Sequence, residues 1–321
     1  MRFLKPLLAA VAISASAFTA QAQDYPSKPI TLIVGFAPGG GVDIVARALA
    51  AQLQEQIGQS VVIENRPGAG SNIAAVAVAR AAPDGYTLLV GANGMTTNMK
   101  LYANAGFDVQ KEFAGVSTIG SSPPVIAAGK GFNGNNLADL IVQAKAKPGA
   151  LSYGSPGAGT SAHLMMELFQ RVAGIQLQHV PYRGGAPAIN DATGGHIPLL
   201  AVNLPEVIGQ TNAGTLKLLG VPSLQRSPLV PNSPTVAEQG FTGFEASTWW
   251  AVFAPAATPR PVIDRLSAEV RKATATPAFK EKMAQMGAVA TGSTPQEMDT
   301  FIARERERWE KIIVESKITA E

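Results

Sequence analysis

Ile30-Thr31-Leu32-Ile33-Val34-Gly35-Phe36-Ala37-Pro38-Gly39-Gly40-Gly41-Val42-Asp43-Ile44-Val45 is the stretch whose reading decides the fold. Its first five residues form a short, mostly apolar run, the pattern of a buried strand. Pro38 and the glycines end that run. A helix is expected from near Val42, because Val45, Leu49, Leu53 and Ile57 recur every four residues and make one apolar stripe. Gly58 stands where a helix C-cap glycine belongs. Working outward, Val61-Val62-Ile63 reads as the next strand, Asn65-Arg66-Pro67-Gly68 as a turn, Asn72 to Arg80 as a helix and Tyr86 to Val90 as a third strand. Strand–helix–strand–helix–strand is the order of a parallel sheet with helices on its faces.

The same order of elements recurs further on, without a repeated sequence. Strands are expected at Val116 to Ile119 and Val125 to Ala128, around Ser121-Ser122-Pro123-Pro124. A helix from about Leu137 to Lys145, the strand Leu151-Ser152-Tyr153 and the glycine-rich loop Gly154-Ser155-Pro156-Gly157-Ala158-Gly159 follow. The next helix carries Leu164, Leu168 and Val172 on one face and ends at Gly174. Leu177 to Val180, Ile197 to Val202 and Leu216 to Gly220 are further strand candidates. Pro228, Pro231 and Pro234 break up a surface connection, and Trp249 to Ala254 reads as a returning strand. Three helices close the chain. The last opens on a capping box of Thr294 and Glu297 with Pro295 between them, and sets Met298, Ile302, Trp309 and Ile312 near one face, interrupted by Glu305. Two α/β lobes joined by crossing strands are expected, residues 23–124 with 250–321 and residues 125–249. A ligand would lie in the cleft outside the carboxyl ends of the strands.

The first residues point to export. Arg2 and Lys5 precede the apolar run Leu7 to Ile13, and Ala20-Gln21-Ala22 is a small-x-small cleavage site. Cleavage after Ala22 would start the mature chain at Gln23. The apolar run is far shorter than the ~20 residues of a membrane-spanning helix. The chain has no cysteine, which excludes disulfides, a thiol nucleophile and cysteine-based metal sites. Removing Arg2 and Lys5 from the 26 basic residues leaves 24 against 23 acidic ones. Such a balance gives no reason to expect a nucleic-acid partner.

Both glycine-rich loops stand between a strand and a helix N-terminus. Glycines let backbone N–H groups approach a ligand, and the helix end is positive, so an anion can be held there without lysine or arginine. Asp43, in the first turn of its helix, suits either the helix end itself or an ammonium or hydroxyl group of a ligand. Ser155, Thr160 and Ser161 add hydroxyls to the second loop, or cap its helix. One such loop per lobe suits a ligand with two acidic ends, or one acidic and one polar end.

Other chemistries fit less well. Gly157-Ala158-Gly159-Thr160-Ser161-Ala162 matches a dinucleotide fingerprint, but Leu177 to Arg183 lacks the acid expected ~20 residues on. Ser155 lies between a strand and a helix like a hydrolase nucleophile. The residue after it is Pro156, which has no N–H for an oxyanion hole. His163, His179 and His196 lack metal-ligand spacing. His163 is placed on the cleft and His179 as a partnered strand residue. Trp249, Trp250 and Trp309 are expected in the core. No cofactor, metal site or catalytic group is expected.

From Tyr25 almost to the C-terminus the chain resembles the tripartite tricarboxylate transporter substrate-binding proteins, or Bug receptors. The resemblance rests on Phe36 to Asp43 with Ala46-Arg47, Glu64-Asn65-Arg66-Pro67-Gly68-Ala69-Gly70 and Pro83-Asp84-Gly85-Tyr86-Thr87-Leu88-Leu89. Tyr153-Gly154-Ser155, Gly157-Ala158-Gly159-Thr160, Val180-Pro181-Tyr182-Arg183-Gly184-Gly185 and Pro234-Thr235-Val236-Ala237-Glu238-Gln239-Gly240 complete it. It implies a periplasmic binding protein fold of the type II kind, monomeric, closing on a small carboxylate held largely by backbone N–H groups. It implies Ala37, Gly40, Gly41 and Asp43 from the first loop as ligand-binding, with Phe36 as a wall. From the second loop it implies Ser155, Gly159, Thr160 and Ser161, with Asn93 as a residue that sets ligand choice. The partner it implies is a pair of membrane transporter proteins, or alternatively a signalling sensor. An exported serine hydrolase is the enzyme alternative.

Overall fold

The computed structural model describes residues 25–316 and 318–319. The expected export signal and the mature start at Gln23 lie outside the described residues. The chain opens with β1 (Ile30–Val34), α1 (Gly41–Ile57), β2 (Val61–Asn65), α2 (Asn72–Ala79), β3 (Thr87–Gly91) and α3 (Gly94–Leu101). A short α4 (Val109–Glu112) leads into the long β4 (Phe113–Ser122). After Pro123 the chain enters a second sheet with β5 (Pro124–Ala128), α5 (Leu137–Ala146), β6 (Ser152–Ser155), α6 (Ser161–Ala173) and β7 (Gln178–Pro181). Then come α7 (Gly185–Gly194), β8 (Leu199–Asn203), α8 (Leu204–Asn212) and β9 (Lys217–Gly220). The return strand β10 (Thr248–Pro255) rejoins the first sheet, followed by α9 (Arg260–Ala275), α10 (Pro277–Gln285), β11 (Val289–Ala290) and α11 (Pro295–Ser316).

The two sheets are ordered β11-β4-β10-β3-β1-β2 and β7-β6-β8-β5-β9. β1 is parallel to β2 and β3, as the opening βαβαβ order requires. The first sheet as a whole is mixed, because β10 arrives from the other lobe and runs antiparallel to both β3 and β4. The second sheet repeats the plan, with β6 parallel to β7 and β8, and β5 antiparallel to β8 and β9. The expected two-lobed α/β fold is the observed one.

Alternation along the strands decides which layer each residue enters. Ile30, Leu32 and Val34 face α1 and α9, while Ile33 and Leu89 face α2 and α11. Trp250 and Trp249 divide in the same way between the two layers and both are buried, as expected. Tyr153 and Phe169 anchor one layer of the second lobe, and Leu200 and Val202 the other. Gly58 ends α1 with φ at 67° and donates its N–H to Gln54 O, the left-handed cap that glycine allows.

α11 carries the expected capping box: Thr294 N–H donates to Glu297 Oε2 at 2.8 Å, and Glu297 N–H to Thr294 Oγ1 at 3.2 Å. Its apolar stripe serves two neighbours. Met298 and Ile302 pack on the first sheet. Trp309 and Ile313 join Leu101 of α3 and Leu164 of α6 in a small cluster that bridges the lobes.

Candidate functional site

The lobes meet on a cavity of about 30 Å³. From the first loop, Phe36, Gly40 and Gly41 line it; from the second, Thr160 and Ser161; and from the segment after β3, Asn93. Ala37, Asp43, Ser155 and Gly159, the other residues singled out in the sequence, are outside this wall. Hydrogen bonds explain the division.

Asp43 is 2% exposed and faces its own loop. Its Oδ2 accepts from Gly39 N–H and from Arg47 Nε, both at 2.9 Å, and its Oδ1 accepts from Asn65 Nδ2 at 2.9 Å. Asn65 Nδ2 also donates to Phe36 O at 3.0 Å. Burial alone would raise the Asp43 pKa; the donors on Arg47, Gly39 and Asn65 outweigh it and hold the carboxyl below the usual range. Of its two readings, this geometry serves the loop and the helix end, with two hydrogen bonds on Oδ2 and one on Oδ1. Ala37 N–H is engaged across the cleft with Arg183 O at 3.0 Å.

Ser155 is fully buried, with Oγ 2.6 Å from His179 Nε2 and accepting from Gly157 N–H at 3.1 Å. His179 is thus the partnered strand residue expected. His163 does not line the cavity; it lies beneath the loop, where Nδ1 accepts from Gly159 N–H at 3.2 Å and the ring stacks on His179 with centroids 4.2 Å apart. Thr160 caps α6, accepting from His163 N–H at 3.4 Å, and donates to Gly157 O at 2.8 Å. Ser161 Oγ is bonded to Thr248 Oγ1, and Thr248 Oγ1 to Asn203 Oδ1, so a hydroxyl chain links α6, the return strand and β8. Asn93 is 1% exposed and spends its amide on the return segment: Nδ2 donates to Ser247 O and Oδ1 accepts from Trp249 N–H, both at 3.1 Å.

The sequence reading passed over Ser71, Asn72, Asn98, Asn203, Glu206 and Thr248, all of which line the cavity. Asn98 Nδ2 donates to Gly70 O at 2.9 Å and to Asn72 Oδ1 at 2.6 Å. The carbonyl partner fixes which end of Asn98 is the amide nitrogen, and hence which end of Asn72 remains free. Glu206 reaches the cavity from the first turn of α8. Its Oε1 accepts from Asn203 Nδ2 at 2.6 Å and Asn203 N–H at 3.3 Å. Ser71 Oγ, Asn72 Nδ2 and Glu206 Oε2 are buried without a hydrogen-bond partner. One signal was readable: Asn203-Leu204-Pro205-Glu206 has the spacing of a capping box. Ser71 and Asn72 carry no comparable pattern, because their position depends on a left-handed turn, with φ of 80° at Ser71, that only the fold reveals.

Three shifted groups near the cleft make stability depend on pH. Burial pushes His163 down to about 3, helped by neighbouring His179, and pushes His179 down to about 4. Burial pushes Glu206 up to about 7, against the donors on Asn203 and Gly41. Between about pH 6 and pH 5 the unfolded chain binds two imidazole protons that the folded chain refuses. The folded chain holds one carboxyl proton that the unfolded chain has lost. The net single proton makes stability fall by about 1.4 kcal/mol for each pH unit lowered across that window. Chemical denaturation at pH 6.0 and 5.0 measures it. Glu206→Gln is expected to double the slope by removing the opposing carboxyl.

Among the described residues no group of histidine, cysteine, aspartate or glutamate side chains could hold a metal ion, and no helix is long and apolar enough to cross a membrane.

The family model described as "Tripartite tricarboxylate transporter family receptor" matches residues 45–318. The chain is 36% identical to protein BugT of Bordetella pertussis over 308 residues, 95% of this chain and 94% of that protein. Among solved structures it is similar to R. palustris Rpa4515 with adipate, at 36% identity and TM-score 0.89, covering 92% of this chain and 99% of that one. It is also similar to MatC (Rpa3494) from Rhodopseudomonas palustris with bound malate, at 29% identity and TM-score 0.86, covering 90% and 100%.

Proposed function

The chain belongs to the tripartite tricarboxylate transporter family of receptors, and on that premise we propose that it is a periplasmic solute-binding protein that encloses a small carboxylate and presents it to a membrane transporter pair. One observation carries the reading. The N-termini of α1 and α6, one from each lobe, border a single cavity whose wall contains no lysine or arginine. An anion held there is met by backbone N–H groups and helix ends rather than by counter-charges. The adipate of Rpa4515 and the malate of MatC support the class of ligand.

The geometry around Ser155 supports the receptor over the hydrolase alternative. Ser155 Oγ and His179 sit at hydrogen-bond distance like a nucleophile and its base. Yet Ser155 is fully buried and lies outside the cavity wall, and Pro156 cannot supply the oxyanion N–H.

The test is native mass spectrometry on mature protein purified without denaturation, followed by a thermal-shift screen of small acids. A released carboxylate is expected. At ligand near 100 times Kd the melting point should rise by about 5 °C or more, since selective binding to the folded form adds about 2.7 kcal/mol. No bound acid and no shift with any acid would overturn the receptor reading, and a chemically altered acid would replace it with an enzyme.

A further inference from the structure

Glu206 is a carboxylate placed where a carboxylate ligand is supposed to be welcome. Its Oε1 lies at the start of α1: a Cβ on Gly41 would come within 2.7 Å of it. Its Oε2 lies against the start of α7, where the position that a Gly185 side chain would occupy is already filled by that oxygen. The ordinary account is the capping box of α8. That account uses Oε1 alone, which already accepts from Asn203 Nδ2 and Asn203 N–H. It leaves Oε2 buried without a hydrogen-bond partner, in a residue that lines the cavity and is only 7% exposed. A buried acceptor left empty is destabilising unless something supplies a donor.

The other two unpartnered atoms are of the opposite kind. Ser71 Oγ and Asn72 Nδ2, at 8% and 5% residue exposure, can both donate, and both lie on the first lobe. Glu206 Oε2 lies on the second lobe and can only accept while ionised. The cavity therefore has two unpartnered donors on the first lobe, Ser71 and Asn72, and one unpartnered acceptor on the second, which is anionic above about pH 7. A ligand that satisfies all of them has a carboxylate at one end and a cationic donor at the other.

We infer that the ligand is an amino acid-like carboxylate bearing an ammonium group, and that Glu206 is the residue that selects it over a plain dicarboxylate. The inference rests on the receptor reading above and sharpens its ligand class. A second carboxylate at Glu206 would set two anions together in a closed cleft, which is unfavourable. An ammonium there completes the hydrogen bonding of Oε2 and neutralises its charge.

Isothermal titration of the mature chain with matched ligands at pH 8, where Glu206 is ionised, tests this. Succinate is compared with β-alanine and with aspartate, and glutarate with γ-aminobutyrate and glutamate. In at least one pair the ammonium-bearing member is expected to bind about tenfold tighter or more, and no dicarboxylate to bind tighter than its partner. Glu206→Gln keeps the Oε1 acceptor of the capping box and is expected to erase that preference. Asn72→Ala is expected to weaken both members of a pair by a similar factor, which separates the donor side from the selecting side. Equal or tighter binding of the dicarboxylates to the unmodified chain overturns the inference and leaves the receptor intact. So does a preference that survives in Glu206→Gln. If neither series binds and native mass spectrometry finds no acid, the receptor reading falls and takes this inference with it.

Discussion

Gly159→Ala is expected to lower ligand affinity by about a hundredfold while each lobe keeps its fold. Gly159 has φ of 82°, a conformation that costs a residue with a Cβ about 1–2 kcal/mol. That cost is local to the second lobe and is the same whether the cleft is open or closed. The closed form adds a second obstacle. A Cβ at this position would fall inside van der Waals contact of Asn98 Oδ1 and 3.3 Å from Leu101 Cδ1, both on the first lobe. Around it Thr97 Oγ1 donates to Gly159 O at 3.1 Å and Tyr102 OH to Ala158 O at 2.9 Å, so the lobes have no slack there. A closure penalty of about 2.7 kcal/mol reduces the binding-competent fraction, and with it the apparent affinity, a hundredfold. Titration with the natural ligand measures the loss, and small-angle scattering shows whether the variant stays open. Unchanged affinity with unchanged shape would place the closing contact elsewhere.

Asp43→Ala is expected to cost about 2–3 kcal/mol of stability and to weaken binding along with it. The side chain, itself buried, accepts three hydrogen bonds, two of them from Gly39 N–H and Asn65 Nδ2, and a hydrogen bond to a charged group contributes about 1.5–3 kcal/mol. Arg47 is half exposed and re-solvates readily, so its share is discounted. With the acceptor gone, Gly39 and Phe36 lose their tether and Gly40-Gly41 lose a fixed orientation toward the cavity. Asp43→Asn keeps one good acceptor and should lose less. Because the Asp43 pKa is depressed in the folded state, its contribution is complete above about pH 4 and fades as pH falls through the folded value. This places it below the window in which His163 and His179 act. Urea unfolding of both variants at pH 7 and pH 4 separates the two effects; equal stability of Asp43→Ala and the unmodified chain would remove the residue from the loop's support.

The opening strand–loop–helix was legible because its signals are local: an apolar run, glycines, and an apolar residue every four positions. The same holds for Gly58, Gly174 and the Thr294–Glu297 box. α3, α7 and α8 were not legible. α3 is rich in threonine and asparagine and α7 begins and ends in glycine, so neither shows a strong stripe. Their helices are held by a few buried residues, Met95 and Leu101 in one, Ala188, Ile189 and Ala192 in the other. The two glycine loops were found as loops. Which of their residues line the cavity was not readable, since that depends on side-chain hydrogen bonds among residues far apart in sequence. Asp43 in sequence suits either the helix end or a ligand, and only the family resemblance made it ligand-binding; Asn65, 22 positions away, helps hold it toward the loop. Glu206 was missed for the converse reason. It looks like a helix cap, and only the fold brings its carboxylate between the starts of α1 and α7.

The small cluster of Leu101, Leu164, Trp309 and Ile313 bears on time rather than on affinity. Opening the cleft must draw Leu164 away from Trp309 and Ile313 and expose apolar surface to water, at a cost of about 1.5–3 kcal/mol for each large side chain fully uncovered. A ligand cannot enter a cleft that is shut, and a bound one cannot leave it. The rate of capture is then expected to level off as ligand concentration rises, at the frequency with which α11 releases α6, and departure to be slowed by the same step. Trimming Trp309 would quicken both entry and exit, making the receptor a faster sampler and a poorer keeper of the same molecule.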